Sequence, residues 1–277
     1  MKRLKMLFLI CTLMAASLSG LCQRAGIVER IVIDAGHGGR DLGAPGALVD
    51  EKELTLAIAL RTGNAVNKLM PEVEVIYTRT SDVFVPLHQR AALANSSNAD
   101  LFISIHCNSG SSPATFGSES YVMGIHKTQE NFEVAKKENA ALLTEKNYTE
   151  NYEGFNPDND EDYIMLHLLQ NNNLEQSISL ASMVQQQMRA TAHMYDRGVM
   201  QAGFMVLYLT TMPGVLIETG FVSNPAEEKF LIDTLNQQNI ASAIARAVMD
   251  YRHSLLPAPQ MVAPADTITL PKEETHK

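Results

Sequence analysis

The chain has 277 residues, 45% of them hydrophobic, with 22 basic against 31 acidic side chains and a formal charge of −9. That balance excludes nucleic acid as a partner, because neutralising phosphates takes clustered Lys and Arg. With only Cys11, Cys22 and Cys107, a disulfide-stapled fold is excluded too, and the length is enough for one sizeable hydrophobic core.

The first residues set an expected compartment. Lys2, Arg3 and Lys5 precede an apolar run over 6–16 and small residues over 17–20, the layout of a secretory signal peptide. The run is shorter than the roughly 20 apolar residues that span a bilayer. Residues 1–22 are therefore expected to be removed, which takes the charge from −9 to −12. Lipid attachment at Cys22 is the weaker alternative, since Leu21 stands where a lipobox carries Gly or Ala. The expected product is exported to the periplasm, without a transmembrane anchor after cleavage.

Short β-branched runs follow at 30–34, 73–78, 101–106, 118–123, 204–208 and 214–218. Helical periodicity separates them at 51–70, 86–96, 129–143, 174–194 and 225–255, the last as two helices. Alternation of this kind predicts a single α/β domain over 27–255, a mostly parallel twisted sheet of about six strands with helices on both faces. Chemistry in such sheets gathers at the carboxyl ends of the strands. From 256 to 277 the chain is polar and carries Pro257, Pro259, Pro264 and Pro271, which reads as a disordered tail.

The first strand ends in Asp34-Ala35-Gly36-His37-Gly38-Gly39 and the third in Ile105-His106-Cys107-Asn108. Either histidine alone is a weak signal. Two at the carboxyl ends of two strands suit a zinc ion, which takes neutral imidazoles, a carboxylate and an open fourth position. Asp50-Glu51-Lys52-Glu53 opens the long helix. Asp50 and Glu53 fit an N-terminal capping box, and Glu51 lies about 200° from Glu53 around the helix. Glu51 shares the face of Leu54 and Ile58 and is the better ligand. Glu218 follows Val215, Leu216 and Ile217 in the last strand; a buried acid there is costly unless paired or functional, and it is the candidate proton shuttle.

These segments resemble the zinc-dependent N-acetylmuramoyl-L-alanine amidases, the type-3 amidase domain of cell-wall hydrolases. The resemblance runs from Ile31 to Tyr251 through Asp34–Gly39, Glu51–Leu56, Thr78–Asp82 with Leu87–Arg90, Ala99–Asn108 (Cys107 standing where Ala is usual) and Leu216–Pro225. It implies one zinc ion on His37, Glu51 and His106, Glu218 as acid and base, and peptidoglycan as substrate, cut between N-acetylmuramic acid and L-alanine. Arg79, Arg90 and Asn108 are candidate substrate contacts, with structural ion pairing as the alternative for the arginines. A stem-peptide peptidase and a non-catalytic wall-binding protein are the competing functions.

A polar segment over 144–173 departs from the pattern. It holds Glu150, Glu153, Asp158, Asp160, Glu161 and Asp162. Loops this long are lids or inserts, and some division-associated members of the family carry an inserted helix here that blocks the zinc. The segment is accordingly a candidate gate that lends a carboxylate to the metal, with an activator protein as its candidate partner; the alternative is a solvated loop that only fits glycan strands.

Overall fold

The computed structural model describes residues 28–168 and 173–256. The expected signal peptide, its lipid alternative at Cys22, residues 169–172 of the polar segment and the tail from 257 onward lie outside the described residues.

One six-stranded sheet organises the molecule. Its strands are β1 (Arg30–Ala35), β2 (Glu74–Tyr77), β3 (Leu101–Asn108), β4 (Ser118–Met123), β5 (Asp196–Ala202) and β6 (Gly214–Phe221), in the order β2-β1-β3-β6-β4-β5. The first four in that order are parallel; β4 runs antiparallel to β6, and β5 parallel to β4. The helices are α1 (Glu51–Leu69), α2 (Leu87–Ser96), α3 (Gln129–Asn139), α4 (Tyr148–Asn151), α5 (Asp160–Leu168), α6 (Leu174–Thr191), α7 (Met205–Tyr208), α8 (Pro225–Ile232) and α9 (Thr234–Ser254).

Alternation along the strands decides what each face carries. Ile31, Ile33, Ile103, Ile105, Val215 and Ile217 point to one face, where α1, α6 and α9 cover them. Each such side chain, once fully buried, contributes about 1.5–3 kcal/mol. The intervening residues Val32, Phe102 and Leu216 enter a second core on the opposite face with Phe132, Tyr163 and Phe204. Continuing the period places Asp34, Ser104, His106 and Glu218 on this second face, toward the strand ends.

Two expectations fail. Residues 204–208 form the helical turn α7 rather than a strand, and the fifth strand lies at Asp196–Ala202. Phe204, Met205, Val206 and Leu207 are a continuous buried run, a pattern whose period cannot separate strand from helix. The true strand is a polar, half-buried edge strand without the apolar signal. The described part of the polar segment is also partly helical rather than a plain loop. It supplies α4 and α5, and Tyr152, Phe155 and Tyr163 bury against the second core, with Tyr163 edge-on to Phe132 at 4.8 Å.

Candidate metal centre and active site

The chain leaves β1 through Ala35-Gly36-His37-Gly38-Gly39, and His37 sits at φ 59°, in the left-handed region. A side chain persists there only where its surroundings fix it. Two buried arginines do so. Arg79 donates from Nε to Ala35 O at 3.0 Å and from Nη2 to Gly36 O at 2.7 Å. Arg90 donates to Ala35 O and His37 O, each at 2.7 Å, and to Asp34 Oδ1 at 2.8 Å. Their exposures are 3% and 1%. Arg79 and Arg90 thus clamp the loop, a structural role of the kind that stood as the alternative to substrate contact. Gly36 is required for a separate reason: a Cβ there would run into the His106 imidazole.

Asp34 anchors the clamp and also accepts from Thr78 Oγ1 at 2.6 Å and Ser104 Oγ at 2.7 Å. Burial alone would raise its pKa, but Arg90 and the two hydroxyls outweigh burial and lower it. Asp34→Asn, which leaves a buried guanidinium without its charge partner, is expected to cost about 3–5 kcal/mol of stability. A depressed carboxylate stabilises above its unfolded pKa of about 3.9 and loses that contribution as pH falls through the folded value. Denaturant melts of wild type and variant should thus converge below about pH 4; a gap that stays constant with pH would remove the charge from the account.

Glu51 opens α1, 1% exposed, while Glu53 faces solvent. The predicted capping box is absent: the Asp50 side chain makes no cap bond, and the loop carbonyls of Ala44 and Leu42 take the amides of Glu51 and Lys52 instead. Glu51 is oriented by Ala44 N at 2.8 Å and Cys107 N at 2.9 Å. Its oxygens lie 3.1 Å from His37 Nε2 and 3.1 Å from His106 Nδ1. Asp41 Oδ2 holds the other His37 nitrogen at 3.0 Å, which fixes the ring as an outer carboxylate does for a metal-ligating histidine.

A fourth group, missed in the sequence, completes the cluster. Glu138, near the end of α3, places Oε2 3.3 Å from His37 Nε2 and 2.9 Å from His106 Nδ1. One ligand atom from each of His37, Glu51, His106 and Glu138 lies within 4.8 Å of the others. A tetrahedral ion with bonds of 2.0–2.2 Å separates its ligands by about 3.3–3.6 Å, and the histidine–carboxylate separations of 2.9, 3.1, 3.1 and 3.3 Å come near it. Charge also suits a cation. Burial would push both imidazoles below their usual pKa, yet Glu51 and Glu138 raise His37 well above it, and Glu138 leads in raising His106 to about 10. His37 Nε2 and Glu138 Oε2 are buried without a hydrogen bond. The donor set fits a divalent metal. The six acids of the polar segment are not part of it; the carboxylate that reaches the histidines comes from just upstream.

Glu218 is fully buried and neither of its oxygens has a hydrogen bond. It is the register partner of His106 on β3 and of Glu119 on β4, so the three form a row across the sheet. Burial first, then Glu138, push its pKa well above the carboxylate range. Asn108, last residue of β3, donates to Glu119 Oε2 at 3.2 Å and borders a cavity of about 610 Å3. Around the cluster itself the space is only about 10 Å3, closed by Glu138, Ala141 and Phe204.

Residues 31–250 match the model of a family described as N-acetylmuramoyl-L-alanine amidase. The amidase AmiA of Salmonella typhimurium is 30% identical over 236 residues, 83% of this chain and 78% of that protein. AmiC of Neisseria meningitidis is 34% identical over 226 residues, 80% of this chain and 52% of that protein. Among solved structures, an N-acetylmuramoyl-L-alanine amidase from Clostridium difficile matches with a TM-score of 0.62 at 28% identity, covering 82% of this chain and 98% of that one.

Proposed function

The chain belongs to the N-acetylmuramoyl-L-alanine amidase family, and we propose that it hydrolyses the amide joining N-acetylmuramic acid to L-alanine in peptidoglycan, with one zinc ion on His37, Glu51 and His106 and Glu218 as acid and base. The observation that carries this reading is the register of Glu218 beside His106, with no competing partner for either carboxylate oxygen. Zinc, when bound, polarises the amide carbonyl and makes a water easier to deprotonate.

The residues of the chain divide the remaining tasks. The Arg79 and Arg90 clamps hold the His37 loop, Asp41 sets the His37 ring, and the amides of Ala44 and Cys107 aim Glu51. Glu218 accepts the proton of the attacking water and returns it to the departing alanine nitrogen. A carboxyl whose pKa is raised by burial suits the second transfer, because it keeps the proton taken from water until the departing nitrogen accepts it, where a stronger acid would lose that proton to solvent first.

Three ligands leave one position of a catalytic zinc site for substrate or water. Glu138 occupies that place among the four groups, and the space left is small. We therefore read this conformation as self-blocked, with Glu138 on α3 as the plug and the segment over 144–173 as its brace. Tyr163 of α5 meets the Asn139 amide at 3.2 Å, and Asp160 pairs with Lys136 at 2.9 Å. An activator protein that draws α3 away belongs to this proposal, as does export with removal of residues 1–22. No helix among the described residues is long and apolar enough to cross a membrane.

The test is direct. Zinc-loaded protein should release peptides beginning with L-alanine from purified sacculi, with the glycan left intact, as read by mass spectrometry. Cuts inside the peptide would mean a peptidase instead. Dialysis against a chelator should abolish release and zinc should restore it; unchanged turnover in the stripped protein would end the zinc assignment.

A further inference from the structure

The cavity of about 610 Å3 lies outside the four-residue cluster but adjoins it through the sheet. His106, Glu218 and Glu119 are successive register partners on β3, β6 and β4, and Glu119 forms part of the cavity wall. Glu119 is 3% exposed and accepts from Asn108 Nδ2 at 3.2 Å, from Tyr121 OH at 2.8 Å and from Arg197 Nε. So firmly held a carboxylate serves as an anchor for Arg197. A second contact fixes the guanidinium, whose Cζ lies 5.3 Å from the centre of the Phe221 ring.

Only one edge of Arg197 is used. Its terminal nitrogens donate to no acceptor among the described residues, and the side chain remains 28% exposed at the cavity. A guanidinium fixed by its Nε and open at its outer edge is a preorganised fork for a carboxylate. Lys137, whose Nζ donates to Ser109 O at 2.7 Å, adds positive charge to the same wall. Glu130 and Glu133, also on the wall, disfavour a polyanion and confine the anion to Arg197.

We infer that Arg197 binds a free carboxylate on the peptide half of the substrate, so that the cavity selects peptides with an acidic residue next to the alanine. The inference rests on the amidase reading. In that reaction the muramyl carboxylate is consumed in the scissile amide, so a carboxylate near the bond comes from the peptide. Glu119 then acts as a positioning residue for Arg197.

Two matched soluble glycan-linked peptides test this, identical except that the carboxylate of the residue after alanine is free in one and amidated in the other. Zinc-loaded full-length protein is used, in whichever of wild type and Glu138→Ala turns over faster. The expected result is a lower KM for the acid than for the amide at equal kcat. Arg197→Met should raise the KM of the acid about tenfold, the scale of one charged hydrogen-bond pair, and leave the amide and both kcat values within about twofold. Arg197→Lys should recover part of the loss. A parent protein that treats the two peptides alike overturns the inference without any variant, and so does an equal KM shift for both in Arg197→Met. Failure to release either peptide would instead refute the amidase reading itself.

Discussion

Glu218→Gln is expected to lower kcat on peptidoglycan by roughly a hundredfold to ten-thousandfold, the usual contribution of a positioned acid–base group, while zinc content stays unchanged. The substitution keeps the shape of a fully buried side chain and removes only the ability to carry a proton. Its oxygens make no hydrogen bond, so no structural network is broken, and burial already favours an uncharged group there. Stability should therefore hold or rise slightly. The combination discriminates: a structural acid would lose stability with activity, and a fourth ligand would lose zinc. Turnover within about threefold of wild type would defeat the acid–base assignment, being far below the expected range.

The sheet and this acid were legible for the same reason. Runs such as Ile103-Ser104-Ile105-His106 and Leu216-Ile217-Glu218 interrupt apolar strands with polar residues at their carboxyl ends that are costly to bury, and the fold does bury them there. Helix geometry likewise separated Glu51 from Glu53, and the two differ in burial as that geometry implies. What stayed hidden depends on partners distant in sequence. Nothing local distinguishes Glu138 in Lys136-Lys137-Glu138-Asn139 from the acids around it; only the packing of α3 over the sheet brings it to His37 and His106. Arg197 is hidden similarly, on an edge strand too polar to read as a strand, 78 residues from the Glu119 that anchors it. Arg79 and Arg90 were open in the sequence between a substrate contact and a structural role. A basic residue in a motif fits either, and only the folded loop shows that backbone carbonyls of a left-handed turn take up the donors.

Replacing Glu138 by Ala should raise activity on sacculi by roughly tenfold to a hundredfold, because a blocked state commonly leaves its open alternative populated at the per cent level. The three other candidate ligands differ from Glu138 in how they are held. His37 and His106 sit at the ends of β1 and β3, and Glu51 is fixed by two backbone amides. Glu138 is buried without a hydrogen bond to its Oε2, and its position depends on how α3 docks. The neighbouring Asn139 provides that docking: its Nδ2 donates to Gly203 O at 2.8 Å, and its Oδ1 accepts from Met205 N at 2.8 Å. Asn139→Ala should accordingly activate as well, by loosening the helix while leaving every candidate ligand in place. Zinc titrations separate the meanings of Glu138→Ala. A plug removed from a three-ligand site leaves one zinc per chain and faster turnover. A required ligand removed leaves weaker zinc binding and slower turnover, which would overturn self-blocking and make Glu138 part of the working centre.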